Sequence, residues 1–506
     1  MFKQVFSTKV NVAANFASTI WTALLGIVFV PLYLQYIGIE AYGLIGIFNS
    51  IQSFIVLLDF GISPTFNREL ARLSALENSS QEMHDIRRTL EVPNWISVVV
   101  VAVTLCIFAP LIANYWVQPK DLSTVTITQA LLIMGVSISI QFSVNFYIGG
   151  LMGLQKQFLL GLINIFCGTL RSVGALAVLV FVSPTIQAFL IWQGIIIILQ
   201  LVLMVSTLKL SLPKSSKKGR FKKELLRKVW KYAAGLSGIS IVSLILTQTD
   251  KIVLTRMLSL ETYGYYTLAI TISSTAISIA ISSVTHAVFP KFSQFVSLGN
   301  EKSLSDIYHR SCQIVSVFLF SVMTILGLFS YDVLIAWTNN VEIADNAYLL
   351  VSLVSIGTGL NGLMWLPYFL QLAHGWTKLA FYTNVFSIIL LIPLMILGAY
   401  EYGAVGGAIG WIALNASYVL VMIQLMHRRI LKGEQWQWYF KDILPPFLVA
   451  LTVTGFGKVL LPELSTRFEA IIALGCISLF TLFATSFSTK ASRDLLFNFR
   501  KYLFNP

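Results

Sequence analysis

Charged residues are scarce in this sequence. Asp, Glu, Lys and Arg make up 11% of its 506 residues, whereas hydrophobic residues make up 56%. A soluble protein carries about 25% charged residues, because its surface must be covered in polar groups. Together with a mean hydropathy of +0.78, this composition predicts an integral membrane protein and excludes an ordinary soluble globule.

Signatures of catalysis and cofactor binding are also missing. There is no GxxxxGK[ST] motif for nucleotide phosphates, no His/Cys/Asp/Glu cluster with metal spacing, and no recognisable nucleophile–base pair. The four cysteines are far apart in sequence and form no CxxC pair: Cys106, Cys167, Cys312 and Cys476. We therefore expect no catalytic residue, no metal, no cofactor and no disulfide framework, in a protein that is not an enzyme.

Long apolar runs are abundant. They are continuous for about 20 residues, which argues against the alternating pattern of membrane β-barrels. The first run, from about Val10 to Tyr36, is too long for a cleavable signal peptide and is expected to remain as the first span. About fourteen transmembrane helices are predicted, over 10–36, 43–66, 92–113, 125–151, 158–182, 186–208, 232–255, 262–289, 312–337, 345–370, 379–400, 405–426, 443–460 and 468–487.

Basic residues predict the orientation of these spans. With a cytoplasmic N-terminus, 29 of the 35 Lys and Arg residues fall on the inner side and four on the outer side. Cytoplasmic loops of membrane proteins carry such an excess, so both termini are expected in the cytoplasm. The net charge of +13 then reflects loops that contact anionic membrane lipids, not nucleic acid.

A short internal repeat connects the two halves of the chain. Four residues of the first interhelical turn recur 221 positions later, as Glu40/Glu261, Tyr42/Tyr263, Gly43/Gly264 and Ile51/Ile272. The same offset superimposes spans 1–6 on spans 7–12, and an even number of spans per repeat makes the halves parallel. The sequence therefore predicts two six-helix lobes around a central cavity plus two C-terminal helices. The corresponding divisions are 1–208, 209–231, 232–426 and 427–506.

The boundary segment 209–231 is strongly basic, with ten Lys or Arg residues and one acid. Its second part carries Phe221, Leu225, Val229 and Tyr232 at helical spacing, which predicts an amphipathic interfacial helix. Two interpretations are open for the segment: a tether held against anionic lipid, and a surface that captures an anionic substrate.

Several segments resemble the polysaccharide-transport branch of the multidrug/oligosaccharidyl-lipid/polysaccharide exporter superfamily, the Wzx-type O-antigen flippases of bacteria. These segments are VNVAANFAST (10–19), LLDFGISPTFNRELAR (57–72), QTDKIVLTRMLSLETYGYYTLA (248–269), HAVFPKFSQ (286–294) and YEYGAVGGAIG (400–410). The resemblance implies two six-helix lobes around a V-shaped cavity in the bacterial inner membrane. It implies transfer of undecaprenyl-diphosphate-linked oligosaccharide between leaflets, with polysaccharide polymerase and chain-length proteins as further partners.

Charges inside predicted spans indicate where a site lies, because each costs about 2.5–3.5 kcal/mol at the bilayer centre. Arg171 lies in the middle of the fifth span and is a candidate donor to a diphosphate or an acidic sugar; a structural ion pair is the alternative. The other candidate substrate-binding cations are Lys251, Arg256, Arg68 and Lys291.

Two acids and a histidine are candidates for ion coupling or for structural pairing. Asp59 could pair with a basic neighbour or accept a coupling proton, and Asp250 needs a partner other than the adjacent Lys251. His286, near the cytoplasmic end of the eighth span, could equally be an ordinary interfacial residue.

Two other functions compete with a flippase. An ion-coupled multidrug exporter of the same superfamily would hold carboxylates in its cavity, whereas Arg171 and Lys251 favour an anionic cargo. A membrane glycosyltransferase or polymerase would need a sizeable outer loop, and the longest one predicted, about 114–124, has only about eleven residues.

Overall fold

A computed structural model describes residues 8–58, 61–76, 79–215, 217–461, 466–495 and 497. In this part of the chain the regular structure is helical, apart from one isolated bridge between Gln118 and Ser259. The chain forms two compact units, residues 1–264 and 265–506, and each unit has its own hydrophobic core.

The helices follow one another with short connections. In the first unit they are α1 (Thr8–Leu58), α2 (Ile62–Ser74), α3 (Ser80–Leu111) with a π-helical turn (Ile112–Trp116), α4 (Thr124–Gly153), α5 (Gln157–Phe181), α6 (Ile186–Ser211) and α7 (Lys223–Met257). Helix α8 (Leu260–Ser297) leads into the second unit. There follow α9 (Glu301–Leu328), α10 (Ser330–Thr338), α11 (Val341–Leu363), α12 (Trp365–Ala373), α13 (Thr377–Ser417), the first π turn of this unit (Tyr418–Met422), α14 (Ile423–His427), α15 (Gln435–Gln437), the second π turn of this unit (Trp438–Ile443), α16 (Leu444–Leu460) and α17 (Arg467–Ser486).

Ten helical segments of the described residues are long and apolar enough to cross a membrane. Two of them bend at a glycine with positive φ, α1 at Gly38 (φ 77°) and α13 at Gly403 (φ 57°), and each covers two predicted spans. Helices α7 and α8 match two further predicted spans. The all-helical membrane fold is thus confirmed, and the number of crossings stays a prediction.

Helix α2 corrects the predicted second span, which was expected to run to residue 66. Helix α1 instead ends at Leu58, and α2 begins after Gly61, whose φ of 73° turns the chain. The new helix is amphipathic: Phe66 and Leu70 are buried one turn apart, while Arg72 faces outward and pairs with Glu69. Phe66 stacks on Phe146 of α4 at 4.5 Å between ring centroids, so α2 is packed against the bundle.

The repeat offset of 221 is visible in the helix boundaries. Helix α3 begins at Ser80 and α9 at Glu301, which are 221 residues apart. Helix α5 begins at Gln157 and α13 at Thr377, one residue from the same offset. The two halves differ at one place. In the first half α1 ends and α2 begins as a separate helix, whereas the residues 221 positions later lie inside the single helix α8. The repeat therefore extends well beyond the four matched residues of the turn.

The basic boundary segment does not form a separate interfacial helix. Helix α6 continues to Ser211, and α7 starts at Lys223 and runs without a break to Met257. The connection between them is bound to α3: the buried carboxylate of Asp85 accepts the Arg220 N–H at 2.8 Å and the Lys222 ammonium at 2.6 Å. His84 and Gly219 are also in close contact. Protein contacts thus hold the connection at Arg220 and Lys222, and its contact with anionic lipid stays a prediction.

Candidate functional site: a cavity around Arg171

Arg171 lies on α5 in a small polar cavity of about 170 Å³. The lining residues come from α1, α5 and α6, and most carry a hydroxyl or an amide: Ser18, Thr19, Thr22, Asn164, Gly168, Arg171 and Gln200. Polar contacts hold this part of α5 against α1, since Trp21 Nε1 donates to Thr169 Oγ1 at 2.8 Å and the Tyr33 hydroxyl donates to the Ser172 carbonyl at 2.9 Å. The arginine is therefore held on a well-anchored segment.

The guanidinium of Arg171 is only partly satisfied. Its Nη2 donates to Gln200 Oε1 at 2.9 Å, and Gln200 Nε2 in turn donates to Asn164 Oδ1 at 3.1 Å. Its Nε is buried and has no hydrogen-bond partner among the described residues. Arg171 thus keeps donor capacity that an added anion could use.

No carboxylate forms an ion pair with Arg171 in the described part of the chain, and none lines its cavity. The interpretation of Arg171 as a structural ion pair, which the sequence left open, is therefore not supported by these residues. What holds the charge is a neutral amide relay through Gln200 and Asn164. Neither amide could be chosen in advance from the sequence, because Asn and Gln are common in polar helix faces.

The other predicted cations lie elsewhere. Lys251 on α7 donates to the Thr247 carbonyl and to Gln248 Oε1, both at 3.2 Å. Arg256 is exposed in the last turn of α7, and Arg68 lies on α2, 3.5 Å from Glu69. None of these three lines the cavity around Arg171. Lys291 is an exposed residue of α8 in the second unit.

The predicted coupling residues are only partly described. Asp250 is buried on α7, beside the buried Gln248 and Thr249. Asp59 lies outside the described residues. His286 lies within α8, and its side chain is likewise outside the described part of the structure. A role for any of the three stays a prediction.

The two repeated glutamates of the interhelical turns contact the same loop, residues 117–123. Glu40 accepts the backbone N–H groups of Lys120, Asp121 and Leu122 at 2.6–3.0 Å. Glu261 instead accepts the Lys120 ammonium at 2.6 Å, and this hydrogen bond with its negative charge raises the pKa of Lys120. The loop is also shorter than predicted, because the π-helical turn extends to Trp116.

The repeated glycines make a reciprocal contact. A Cβ on Gly43 would clash with the carbonyl of Leu260, and a Cβ on Gly264 would clash with the carbonyl of Ile39. Residues 39 and 260 are themselves related by the offset of 221. The two turns therefore approach each other with local two-fold symmetry, and only glycine permits this backbone distance.

A buried polar cluster in the second unit was missed by the sequence analysis. His309 on α9 contacts Asp442 through Nδ1 and Glu434 through Nε2, the latter at 3.1 Å. Asp442 is fully buried in the second π turn, and His309 is 4% exposed. The three residues are up to 133 positions apart in the chain, so spacing gave no signal. Among the described residues no group of side chains is suited to hold a metal ion.

Known proteins share both sequence and fold with this chain. Residues 9–296 match the family described as "Polysaccharide biosynthesis protein". The lipopolysaccharide biosynthesis protein WzxC of Escherichia coli (strain K12) is 21% identical over 226 residues, which is 44% of each chain. The chain thus matches less than half the length of this curated relative.

Among solved structures, the lipid II flippase MurJ in an inward closed conformation superimposes with a TM-score of 0.71 at 16% identity, covering 97% of this chain and 100% of that one. An inward-facing multidrug resistance transporter of the MATE family, from the MOP superfamily, gives 0.66 at 12% identity, covering 84% and 99%. At these low identities, the superpositions show a common fold and no more. Because the matched residues 9–296 make up more than half of the sequence, this multi-pass membrane protein belongs to the family of polysaccharide biosynthesis proteins.

Proposed function

We propose that this protein is a flippase that moves a polyprenyl-diphosphate-linked oligosaccharide, such as an O-antigen unit, from the inner to the outer leaflet of the bacterial inner membrane. Arg171 binds the diphosphate in the cavity between α1, α5 and α6. Both termini lie in the cytoplasm, and the basic inner loops contact anionic lipid. Polysaccharide polymerase and chain-length proteins act on the product.

The observation that carries this proposal is a half-buried arginine whose Nε is fully buried and which forms no ion pair with an acid among the described residues. A cation at the centre of a membrane protein is costly, so it is usually paired or functional. Here the described surroundings supply one amide acceptor and leave Nε free. A transient anion is the partner that would complete the site.

A diphosphate suits this site chemically. The guanidinium presents parallel N–H groups that bind two phosphate oxygens at once, and such charge-assisted bonds are about twice as strong as neutral ones. The hydroxyls of Ser18, Thr19 and Thr22 line the same cavity. During passage they can replace part of the water that the diphosphate loses.

The alternative functions fit the site less well. A multidrug exporter of cationic compounds needs carboxylates to neutralise its cargo, and the described residues that line the Arg171 cavity include none. A glycosyltransferase or polymerase needs an outer domain with catalytic acids, whereas the loop after α3 is only residues 117–123 and its Glu40 contacts are structural.

The decisive experiment removes the protein and follows its substrate. Without it, a lipid-linked oligosaccharide should accumulate in the cytoplasmic leaflet, and purified protein in vesicles should transfer that lipid without ATP. A cell lacking the protein that exports its surface polysaccharide normally, with no accumulated intermediate, would contradict the proposal. So would vesicle transfer that requires ATP hydrolysis with no partner protein present.

A further inference from the structure

The cluster of His309, Asp442 and Glu434 in the second unit has a distinctive hydrogen-bond geometry. Both ring nitrogens of His309 face a carboxylate oxygen, Nδ1 that of Asp442 and Nε2 that of Glu434. A neutral imidazole has one N–H and can donate to only one of them. Its other nitrogen would then place a lone pair against the lone pairs of a carboxylate.

A neutral histidine with two ionised carboxylates therefore lacks one proton. The two hydrogen bonds form together only when that proton is added. With that proton on the ring, the imidazolium donates to both carboxylates and the cluster carries one net negative charge. Without it, the cluster carries two negative charges and one repulsive contact in a buried place. The cluster is thus complete only when it has bound one exchangeable proton.

The remaining atoms of the cluster are already occupied, which fixes the exchange to this one proton. Gln313 Nε2 donates to the second oxygen of Asp442 at 2.9 Å, and the Gln313 oxygen accepts the Ala491 N–H at 3.0 Å. Ser305 Oγ lies 2.9 Å from both oxygens of Glu434. None of these neighbours can take up or release a proton near neutral pH.

Other titratable and charged groups surround the cluster. His427 on α14 has its Nδ1 3.0 Å from the Ile423 carbonyl, which places a proton on that nitrogen and does not involve the cluster. The ring centroid of Tyr308 lies 5.2 Å from that of His309 and 5.9 Å from that of His427. The others are on α9, on the second π turn and after α17: Lys302, Asp306, Arg310, Cys312, Lys441, Lys490 and Asp494.

Access and position suit a site that exchanges protons. His309 lines a polar cavity of about 550 Å³, and the side chain of Glu434 is 30% exposed. Asp442 sits in a π-helical turn, a distortion that is frequent at functional sites. The proton also joins α9 to the second π turn, which directly precedes α16, so its loss changes a contact between these two elements.

We propose that His309, Asp442 and Glu434 form a proton-binding site and that proton binding there drives transport by this protein. This inference rests on the proposed flippase function and assigns its coupling ion. It locates the proton in the second unit, on residues other than Asp59, Asp250 and His286.

The proton is tested first, independently of transport. Protein in nanodiscs, labelled with ¹⁵N-histidine, is titrated by NMR, and His309 is assigned with the His309→Gln variant. We expect a doubly protonated ring at neutral pH that loses one proton on alkalinisation. Glu434→Gln, which removes one facing charge from a partly exposed position, should shift this titration to lower pH. A His309 ring that stays singly protonated throughout would overturn the site.

Coupling is tested in vesicles that contain the lipid-linked oligosaccharide and a pH gradient. Wild-type protein should transfer lipid faster with the gradient, while Asp442→Asn and Glu434→Gln should lose the stimulation and keep slow downhill transfer. His374→Gln is a matched control outside the cluster and should respond as wild type does. Stimulation that persists in both cluster variants would overturn coupling at this site. Absence of any transfer by wild-type protein would contradict the flippase function, while the NMR titration would still decide the proton site.

Discussion

Replacement of Arg171 separates a transport role from a structural one. In Arg171→Ala, the protein loses the bond to Gln200, worth about 1.5–3 kcal/mol for a charged donor. It also no longer holds a cation in the membrane, which relieves about 2.5–3.5 kcal/mol. These terms nearly cancel. We therefore expect the membrane abundance of Arg171→Ala to be close to that of wild type.

The effect on substrate binding is much larger. Two charge-assisted bonds to a diphosphate, at about 1.5–3 kcal/mol each, amount to about 3–6 kcal/mol. Since 1.4 kcal/mol is about a factor of ten, Arg171→Ala should bind the substrate at least about 100-fold more weakly. Arg171→Lys keeps the charge but loses the two-pronged geometry, so it should keep partial function.

The assay measures surface polysaccharide and protein abundance in cells whose only copy is the variant. Arg88→Gln serves as a control, because Arg88 is an exposed arginine on α3 that lies 3.8 Å from Glu91. A stable Arg171→Ala protein that exports polysaccharide at the wild-type rate would refute the reasoning. Degradation of Arg171→Ala, reversed by neutralising an acid, would instead reveal a buried ion pair, whose loss costs about 3–5 kcal/mol.

Three further predictions concern topology, the outer loop and the basic connection. A periplasmic reporter such as alkaline phosphatase should be inactive when fused after Lys214 and active after Asp121; the opposite pattern would reverse the orientation. In a cysteine-free background, Gln118→Cys with Ser259→Cys should form a disulfide, since these residues are bridged, and export should fall and recover on reduction; unchanged export of the cross-linked protein would show that this contact does not open. Asp85→Ala should release the connection between α6 and α7, seen as faster limited proteolysis within residues 212–222, whereas equal cleavage rates would show that Asp85 does not hold it.

The membrane fold could be predicted from sequence because its main determinant is local. Apolar runs and a charge bias are visible in any window, and the offset of 221 predicted which helices correspond. Helix α2 was missed because residues 43–66 look like one apolar run. The chain nevertheless turns at Gly61, and the residues that follow form a separate amphipathic helix. The end of a span depends here on which side of the helix is buried, and a count of apolar residues does not show this.

The sites were less predictable for a related reason. Arg171 was identifiable because a charge within an apolar run is conspicuous. Its partner Gln200 and the second-unit cluster depend on contacts between helices distant in sequence. His309 and Asp442 each lie close to a predicted span boundary, where a polar residue is ordinary. Only the packed structure shows that Asp442 is fully buried and that both nitrogens of His309 are used.

The reciprocal contact of Gly43 and Gly264 has the form of an isologous interface, in which one surface patch binds its own copy. In a homodimer a single substitution alters such an interface twice, so neither side can change alone. Here both turns lie in one chain, so each can be substituted alone while the backbone contact is kept. The glutamates three residues earlier show the result: Glu40 now binds backbone N–H groups, and Glu261 binds a lysine that belongs to neither turn. The symmetric backbone contact between the two turns therefore has chemically different side chains on its two sides, and each side can be changed independently of the other.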